Sequence, residues 1–340
     1  MNKILVSGGT GYIGSHTVVE LQNKGYEVVI VDSLFNSNAD IVNKIEIITG
    51  TKPELEVFDL CDQEKAADFF KRHNDLKGVI HFAAHKAVGE SVEKPLMYYR
   101  NNLDSLINVM QGMEDNSIPN IVFSSSCTVY GQPDELPVSE NAPIKKAESP
   151  YGNTKQIAEE IISDTVHAGN LNAIALRYFN PIGAHETALI GELPIGVPNN
   201  LVPFITQTAI GLREQISVFG NNYNTPDGTA IRDYIHVVDL AKAHVIAVDR
   251  MIKGKMKNDF EIFNLGTGNG YSVLEVIKSF EKVSGLKLNY KIVDRREGDI
   301  EKVWANPDFS NKELGWKAEQ GLDEMMTSAW KWEQEIRKKN

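Results

Sequence analysis

Short runs of apolar, β-branched residues alternate with longer amphipathic stretches in the first half of the chain. The runs predict strands at 3–7, 27–32, 55–58, 78–83, 120–125 and 172–177. The stretches between them predict helices at 12–24, 63–72, 96–114 and 151–168. Strands this uniformly apolar are typical of a parallel sheet covered by helices on both faces. The pattern therefore predicts an α/β fold with a doubly wound, Rossmann-like parallel sheet.

The alternation ends near residue 180, and residues that favour turns become frequent beyond it. Gly, Pro and Asn dominate 196–200 and 220–228, and helical patterns return at 238–252 and 273–284. We therefore predict a sheet-forming domain at 1–180 and a smaller C-terminal α/β cap at 181–340, which binds the substrate. No linker separates the two parts, so we expect the chain to pass between them more than once. The predicted boundary is accurate only to within several residues.

Length, charge and cysteine content narrow the functional classes. A chain of 340 residues fits two domains, and a net charge of −11 works against broad contact with nucleic acid or an anionic membrane. No apolar run approaches the roughly 18 residues that a membrane-spanning helix needs. Two cysteines, Cys61 and Cys127, and a strand pattern beginning at Lys3 give no sign of a disulfide scaffold or a secretory leader. We expect a cytoplasmic protein whose partner is a small molecule.

A glycine-rich turn follows the first predicted strand. Gly8, Gly11 and Gly14 stand three residues apart where a helix pattern begins. This spacing is typical of dinucleotide binding, because the glycines allow a tight turn, close approach of a pyrophosphate and close packing of helix on strand. Asp32 ends the second predicted strand, where a carboxylate accepts hydrogen bonds from ribose hydroxyls and repels a 2′-phosphate. An ordinary strand-to-helix connection is the alternative, but together the two features favour NAD over NADP.

Tyr151 and Lys155 stand four residues apart near the start of a predicted helix, so both lie on one helical face. The spacing alone proves little, and a solvated helix pair is the alternative. Ser124, Ser125 and Ser126 end the fifth predicted strand, and doubly wound sheets bind ligands at such carboxyl ends. A positive charge about 4 Å from the phenol contributes roughly 4 kcal/mol, or about three pKa units. We expect Lys155 and a nicotinamide cation to lower the pKa of Tyr151, and the Ser126 hydroxyl to relay its proton.

Longer motifs carry a resemblance to a known family. They lie at 8–16, 81–91, 124–131, 149–155, 177–180, 198–201, 232–236 and 295–299. On these motifs, which span nearly the whole chain, the sequence resembles the extended short-chain dehydrogenase/reductase superfamily and, within it, the UDP-glucose 4-epimerase family. The resemblance implies a Rossmann-like fold, NAD as the cofactor, a UDP-hexose as the substrate and a homodimer.

The same resemblance implies roles for individual residues. It makes Tyr151 the base, Lys155 a ligand of the ribose that also polarises the tyrosine, and Ser126 the third catalytic residue. Around NAD it places Gly8, Gly11, Tyr12, Ile13, Gly14, Asp32, Asn36, Asp59, Leu60, Phe82, Ala83, Lys86, Asn101, Ser124, Tyr151, Lys155 and Tyr178. Around the UDP-sugar it places Lys86, Ser126, Tyr151, Phe179, Asn180, Asn200, Leu201, Phe219, Arg232, Arg296, Asp299 and Val303.

The implied activity is reversible C4 epimerisation of UDP-glucose and UDP-galactose through a 4-keto intermediate. Val303 stands where many members of the family carry tyrosine, beside the sugar 2-substituent, which predicts activity on UDP-GlcNAc and UDP-GalNAc as well. His85 and Cys127 also depart from the family pattern, with little expected effect. The i, i+4 spacing of His81 and His85 suits a metal, but no third ligand accompanies them, so we expect ordinary packing and no metal.

Other functions stay open at this point. Related enzymes use the same fold and Tyr/Lys pair for 4,6-dehydration, or for decarboxylation or epimerisation of UDP-glucuronate. Dehydration needs a second acid/base pair, and dehydratases typically place Asp-Glu after the strand-end hydroxyl residue, where this chain has Cys127 and Thr128. A non-catalytic NAD-binding regulator is a further alternative, which the retained Tyr151, Lys155 and Ser126 disfavour. The sequence therefore favours the epimerase.

Overall fold

The computed structural model describes residues 2–169, 171–296 and 300–338. Its strands are β1 (Lys3–Ser7), β2 (Glu27–Asp32), β3 (Glu54–Val57), β4 (Gly78–His81), β5 (Asn120–Ser124), β6 (Asn172–Tyr178), β7 (Asn180–Ile182), β8 (Ile216–Phe219), β9 (Ile231–His236), β10 (Phe260–Leu265), β11 (Gly270–Ser272), β12 (Tyr290–Val293) and β13 (Lys302–Val303). Its helices are α1 (Tyr12–Asn23), α2 (Ile41–Thr49), α3 (Gln63–Arg72), α4 (Val88–Glu93), α5 (Pro95–Tyr99), α6 (Ser105–Asp115), α7 (Pro150–Ala168), α8 (Leu201–Ala209), α9 (Val237–Ile252), α10 (Val273–Ser284) and α11 (Leu322–Lys338). Shorter helical turns lie at Arg100–Asp104, Cys127–Tyr130 and Ser310–Leu314. Within these described ranges, no helix is long and apolar enough to cross a membrane.

A seven-stranded sheet forms the centre of the molecule, in the order β10-β6-β5-β4-β1-β2-β3. Every pair of neighbouring strands in it is parallel. The direction of strand order reverses at β1, which lies between β2 and β4. Doubly wound sheets bind ligands outside the carboxyl ends of the strands at such a reversal. The predicted α/β fold with a doubly wound parallel sheet is confirmed.

The residues of β1 show why the strands are apolar throughout. Ile4 and Val6 join the apolar core that contains residues of α1 and α9, whereas Leu5 joins the core that contains residues of α3, α6 and α7. All three side chains are fully buried. Successive side chains of a strand point to opposite faces, so a sheet with helices on both faces needs apolar residues at every position.

The second half of the chain contributes to both parts of the molecule. Strand β10 pairs with β6 in the central sheet, and α9 packs in the same core as α1. A smaller sheet has the order β11-β9-β13, with β7 also pairing with β9, and β8 pairs with β12. Helices α8, α10 and α11 share a separate apolar core with this region. The chain therefore passes between the central sheet and the smaller sheet more than once.

The helix predicted at 96–114 is present, but its turns are not uniform. Helix α5 leads into a wider turn at Arg100–Asp104 before α6 begins. Asn102 in this turn is 6% exposed, and its amide donates to the carbonyl oxygen of His85 (3.0 Å) and to the hydroxyl of Thr154 (3.1 Å). A local widening of this kind accommodates an inward-pointing polar side chain within a helix. The other predicted elements agree with the structure to within two residues at either end.

Candidate active site

The glycine turn lies at the carboxyl end of β1 and leads into α1. Gly8 has a φ of +70°, and a Cβ there would lie 3.0 Å from the backbone nitrogen of Ala83. A Cβ at Gly14 would lie 2.2 Å from the carbonyl oxygen of Gly8, so the first turn of α1 packs directly on the loop. Helix α1 begins after Gly11 with no side-chain cap from the described residues and no acidic residue in its first turn. The turn thus presents backbone N–H groups and the positive end of the helix dipole, as pyrophosphate binding requires.

Asp32 lies beside this turn, at the end of β2, and is 8% exposed. Its Oδ2 accepts a hydrogen bond from the backbone N–H of Thr10 (3.1 Å). Its Oδ1 accepts from the backbone N–H of Leu34 (2.9 Å) and from the hydroxyl of Ser37 (3.1 Å). Asn36, also expected around NAD, is exposed in the same loop. The carboxylate is therefore fixed next to the glycine turn, where it can accept hydrogen bonds from a ribose.

The structure brings Ser126, Tyr151 and Lys155 to the space between the end of β5 and the start of α7. The helix begins after Ser149, whose hydroxyl accepts a backbone N–H from the first turn (3.1 Å). The three side chains are 7%, 8% and 5% exposed, respectively. The ammonium of Lys155 donates to the carbonyl oxygen of Ser124 (2.7 Å) and lies 5.9 Å from the centre of the Tyr151 ring. The predicted pair therefore does share one helical face beside the serine strand end.

Burial governs the protonation of these groups. It raises the pKa of Tyr151 well above the usual value of 10.0, and a hydrogen bond from the Ser126 hydroxyl opposes this rise. It also lowers the pKa of Lys155 to about 8, against the effect of the Glu159 charge. The sequence-based expectation had the ammonium about 4 Å from the phenol, whereas its hydrogen bond goes to the Ser124 carbonyl. The protein by itself keeps the phenol protonated at neutral pH, and a lowered pKa of Tyr151 stays a prediction.

A buried polar network supports the serine strand end. The hydroxyl of Ser125 donates to Oε1 of Glu159 (2.5 Å), and Nη2 of Arg177 donates to Oε2 of the same carboxylate (2.5 Å). Arg177 also donates to the hydroxyl of Tyr130 (2.9 Å). Breaking such a pair leaves a buried charge uncompensated, at a cost of about 3–5 kcal/mol. Sequence reasoning missed Glu159, although its position four residues after Lys155 in α7 was a usable signal.

Several residues expected around NAD line the ends of β4 and β6. Phe82 and Ala83 follow β4 directly, and the Phe82 ring lies 4.6 Å from that of His244. Tyr178 ends β6 and shares a hydrogen bond with the hydroxyl of Ser124 (2.8 Å). Burial raises the pKa of Tyr178 to about 12. Strand β4 lies between β1 and β5, and β6 is next to β5. These residues therefore lie at the same edge of the central sheet as the glycine turn and the Ser/Tyr/Lys group.

The remaining residues expected around NAD occupy the neighbouring loops and the start of α1. The hydroxyl of Tyr12 donates to the carbonyl oxygen of residue 183 (2.6 Å), while Ile13 packs against the core. Leu60 is buried, and the exposed Asp59 accepts a backbone N–H within its own loop (2.9 Å). Asn101 lies in the wider turn between α5 and α6, where its amide donates to the neighbouring asparagine (3.0 Å).

Three residues expected around the sugar lie on the smaller sheet. Arg232 lies on β9, with Asn180 on the adjacent β7 and Val303 on the adjacent β13. Val303 pairs directly with Arg232 and is 6% exposed, in an apolar cluster with Phe179. Cys127, the residue after Ser126, packs against the same cluster. The smaller sheet therefore lies against the Ser/Tyr/Lys group.

Three other residues expected around the substrate lie apart from the smaller sheet, in the second half of the chain. The guanidinium of Arg296 lies 4.4 Å from the centre of the Phe219 ring, which suits a stacked cation. Leu201 begins α8 and is partly buried. Asp299 was also expected to contact the substrate, but it lies outside the described residues.

Glu192 is a residue that sequence reasoning missed. Its Oε1 accepts hydrogen bonds from Asn200 (2.6 Å) and from the exposed Lys86 (3.4 Å), both expected to bind the substrate. Glu192 lies between β7 and α8 in a segment rich in glycine and proline. No periodic pattern or motif singled it out there.

A buried hydrogen bond accounts for His81 without a metal. Its Nδ1 is hydrogen bonded to the hydroxyl of Ser7 (2.9 Å), and burial lowers its pKa to about 3. Among the described residues, one group of three possible metal ligands lies within 4.8 Å, formed by Glu54, Glu56 and His73. Its carboxylates already form ion pairs with neighbouring cations. We assign no metal site to these three residues.

Comparison with known proteins agrees with the geometry. The family model described as GDP-mannose 4,6 dehydratase matches residues 5–329. The UDP-glucose 4-epimerase of Bacillus subtilis (strain 168) is 51% identical over 331 residues, covering 97% of this chain and 96% of that protein. The structure of UDP-glucose-4-epimerase from Stenotrophomonas maltophila with bound NAD and formylated UDP-arabinopyranose has a TM-score of 0.96 at 45% identity, covering 100% of both chains. That of the Bifidobacterium longum UDP-glucose 4-epimerase in complex with NAD+ and UDP has a TM-score of 0.94 at 45% identity, covering 99% of both chains.

The fold, the strand-end Ser/Tyr/Lys group and these full-length similarities all indicate one group of proteins. The chain belongs to the extended short-chain dehydrogenase/reductase superfamily and, within it, to the UDP-glucose 4-epimerase family.

Proposed function

We propose that the protein catalyses reversible C4 epimerisation of UDP-glucose and UDP-galactose with tightly bound NAD. The observation that carries this proposal is the meeting of Ser126, Tyr151 and Lys155 at the end of β5, in a sheet whose β1 leads into a glycine turn. We assign most NAD contacts to residues 1–180 and most contacts to the UDP-sugar to 181–340.

The residues of the turn fit NAD. A Cβ at Gly8 or Gly14 would crowd neighbouring backbone atoms, so glycine at both positions keeps the turn tight. The backbone N–H groups of a tight turn of this kind can approach a pyrophosphate closely. Asp32 offers fixed carboxylate oxygens for ribose hydroxyls and would repel the 2′-phosphate of NADP. When bound by these residues, NAD would supply the hydride acceptor for oxidation at C4 of the sugar and the hydride donor for reduction of the opposite face of that carbon.

Tyr151 takes the proton of the C4 hydroxyl, and the Ser126 hydroxyl hydrogen bonds the same sugar oxygen. Because burial raises the pKa of Tyr151, the phenolate needs nearby positive charge, which Lys155 provides in part. Lys155 also holds the ribose beside the Ser124 carbonyl. When the 4-ketose turns over in the site, Tyr151 returns the proton and the opposite C4 configuration forms.

The cap residues hold the UDP-sugar. Arg232 and Arg296 bind the diphosphate, since planar guanidinium groups donate paired hydrogen bonds to phosphate oxygens. Asn180, Asn200, Leu201, Phe179, Phe219 and Asp299 complete the contacts with the nucleotide and the sugar. Lys86 contributes from the loop after β4. The support for this set is the position of Asn180 and Arg232 on adjacent strands of the smaller sheet, next to the apolar cluster that Cys127 contacts.

Dehydration and decarboxylation are less well supported. The turn after Ser126 carries Cys127 and Thr128 rather than carboxylates. Burial raises the pKa of Cys127 to about 12, so its thiol does not ionise near neutrality and cannot serve as the second base. A 4-ketose formed here from a UDP-hexose therefore has no second base for dehydration and no carboxylate to lose, and it is reduced again. A non-catalytic regulator would not need the three groups to converge.

The proposal extends to UDP-GlcNAc and UDP-GalNAc. Val303 lies beside Arg232 on the adjacent strand and contacts the cluster that contains Phe179. A valine leaves volume that a tyrosine ring would occupy, so an acetamido group on C2 of the sugar finds space.

We propose a homodimer as the assembly. Val88, Val92, Leu96 and Ile107 are 46–74% exposed on the neighbouring helices α4, α5 and α6, which offers an apolar surface for a second copy. A cytoplasmic location also stays a prediction.

Turnover of UDP-galactose tests the proposed function. The protein as purified, without added NAD, should convert it to UDP-glucose in many turnovers per chain, followed by NMR of the sugar region. Products lacking UDP-glucose, or nucleotide binding with no turnover of any UDP-sugar, would reject the proposal in favour of the alternatives above.

A further inference from the structure

Glu192 has a rigid backbone position between the two parts of the molecule. Its carbonyl oxygen accepts the indole N–H of Trp332 in α11 (2.9 Å). A Cβ at the preceding Gly191 would lie 2.6 Å from the Trp332 ring, so the chain passes tightly over this buried indole. The side chain of Glu192 is 13% exposed. Helix α11 therefore fixes where this carboxylate can reach.

The carboxylate connects segments that are far apart in the sequence. Its Oε1 accepts from Nδ2 of Asn200, just before α8, and from Nζ of Lys86, in the loop after β4. The Lys86 ammonium also lies 6.0 Å from the centre of the Tyr12 ring in the first turn of α1. Glu192 thus connects the glycine-turn side of the site with the cap.

Stability does not explain this arrangement. The Lys86 side chain is 54% exposed, and exposed ion pairs contribute about 0–1 kcal/mol. Asn200 makes no side-chain cap for α8, so its amide is held by Glu192 instead of by the helix it precedes. Both side chains lose rotamer freedom when they share one acceptor. This cost in conformational entropy is incurred before a ligand binds.

We propose that Glu192 is a positioning residue that holds Lys86 and Asn200 together for the UDP-sugar. The inference rests on the proposed function, in which these two side chains contact the substrate. One acceptor oxygen on a fixed backbone sets the distance between a donor from the central sheet and a donor from the cap. The role belongs to the oxygen atom as a hydrogen-bond acceptor and not to the formal charge.

Two variants separate the acceptor from other effects. Glu192→Gln keeps an oxygen at the same reach, whereas Glu192→Met has similar length and no comparable acceptor. Glu186→Gln removes a charge from an exposed glutamate in the same segment and is the matched control. The measurements are the Kd of UDP by calorimetry, and kcat and KM for UDP-galactose, on each protein as purified.

We expect Glu192→Met to raise the Kd of UDP and the KM about tenfold with kcat within twofold of wild type, because Lys86 and Asn200 lose their shared hydrogen-bond acceptor. Glu192→Gln should stay within about threefold of wild type for all constants, and Glu186→Gln should match wild type. The inference is overturned if Glu192→Met binds UDP normally, if Glu192→Gln loses as much as Glu192→Met, or if the loss falls on kcat alone. Absence of turnover in the wild type would instead reject the proposed function. The Kd of UDP for the Glu192 variants would still test whether Glu192 positions Lys86 and Asn200.

Discussion

At the scale of single residues, burial is the dominant influence on the chemistry of the site. It raises the pKa of Tyr151 and lowers that of Lys155 to about 8, so both groups favour their neutral forms more than they do in water. A base at this position therefore depends on positive charge that arrives with the ligands. The same burial excludes water from the place where a ketose would form.

Tyr151→Phe should lower kcat by about 10²–10⁴-fold while leaving bound nucleotide unchanged, because only the proton transfer is lost. Steady-state turnover of UDP-galactose and the NAD content of the purified protein are the measurements. Tyr290→Phe is the matched control, since that ring lies at the surface and is 46% exposed. Near-normal turnover of the Tyr151 variant would remove Tyr151 from the role of base.

Val303→Tyr should selectively impair the N-acetylated substrates. The added ring fills space beside Arg232 and Phe179, and steric exclusion from a packed site costs about 1–3 kcal/mol, or roughly tenfold or more in rate. We expect kcat/KM for UDP-GlcNAc and UDP-GalNAc to fall at least about tenfold, with the plain pair within about threefold. Equal losses on both pairs, or a wild type inactive on the N-acetylated pair, would show that Val303 does not control this choice.

Sequence reasoning reached the residues that local motifs define. The spacing of Tyr151 and Lys155 predicts that they share a helical face. The apolar run that precedes Asp32 predicts a strand that ends there. Glu192 and its partners could not be found this way, because their contact joins positions 86, 192 and 200 across three segments without a repeating pattern. The pKa of Tyr151 was equally beyond reach, since it depends on burial by the whole fold.

At the scale of elements, the strand-to-helix connection after β1 is the most constrained feature. Gly14→Ala should displace α1, because its Cβ would lie 2.2 Å from a backbone oxygen that cannot move independently. We expect a loss of about 1–3 kcal/mol in unfolding free energy, together with a reduced NAD content. Thermal melting and the nucleotide released on denaturation measure the two effects.

Gly89→Ala in the exposed α4 is the control for that substitution. Apart from its chain neighbours and the backbone of its own helix, no described atom lies within 4 Å of the Cβ it would add, so it should keep wild-type stability and nucleotide content. If Gly14→Ala behaves like Gly89→Ala, the close packing of α1 on the glycine turn does not limit cofactor binding.

Elements were predictable where they are long enough to show a period. Helix α10 was predicted with its observed limits, whereas β11 and β13 have three and two residues, too few for any alternation to appear. Helix α11 had a usable signal, since Leu322, Met325, Met326 and Ala329 follow helical spacing and are buried, but it was not predicted. The wider helical turn between α5 and α6 holds Asn102, whose hydrogen-bond partners lie in other segments, so no local pattern predicted it.

At the scale of the whole molecule, buried histidines link stability to pH. Burial lowers the pKa of His16 and His81 to about 3 and that of His236 and His244 to about 4. In the unfolded chain such groups titrate near 6.5. The contribution of these neutral imidazoles to the free energy of unfolding is therefore complete above about pH 6.5. It is lost as the pH falls below that value, because the unfolded chain binds protons that the folded protein does not.

His244→Leu should weaken this dependence. With a pKa of about 4 in the folded protein, His244 contributes about 1.3 kcal/mol to the difference in unfolding free energy between about pH 7.5 and 5.5. That difference should shrink by this amount in the variant, measured by urea unfolding at both pH values. His167→Gln changes an exposed histidine of α7 and should leave the difference unaltered. An unchanged difference in His244→Leu would contradict the assignment of a buried neutral imidazole.

Tracing the hydrogen at C4 tests the central claim most directly. UDP-galactose carrying deuterium at C4 is incubated in ordinary water with the protein as purified, and the products are followed by NMR and mass spectrometry. The account predicts UDP-glucose that keeps the deuterium at C4, with no net accumulation of reduced nicotinamide, because the hydride returns to the same carbon. Deuterium lost from the sugar into released cofactor, with an oxidised product, or a product dehydrated across C5 and C6, would contradict it.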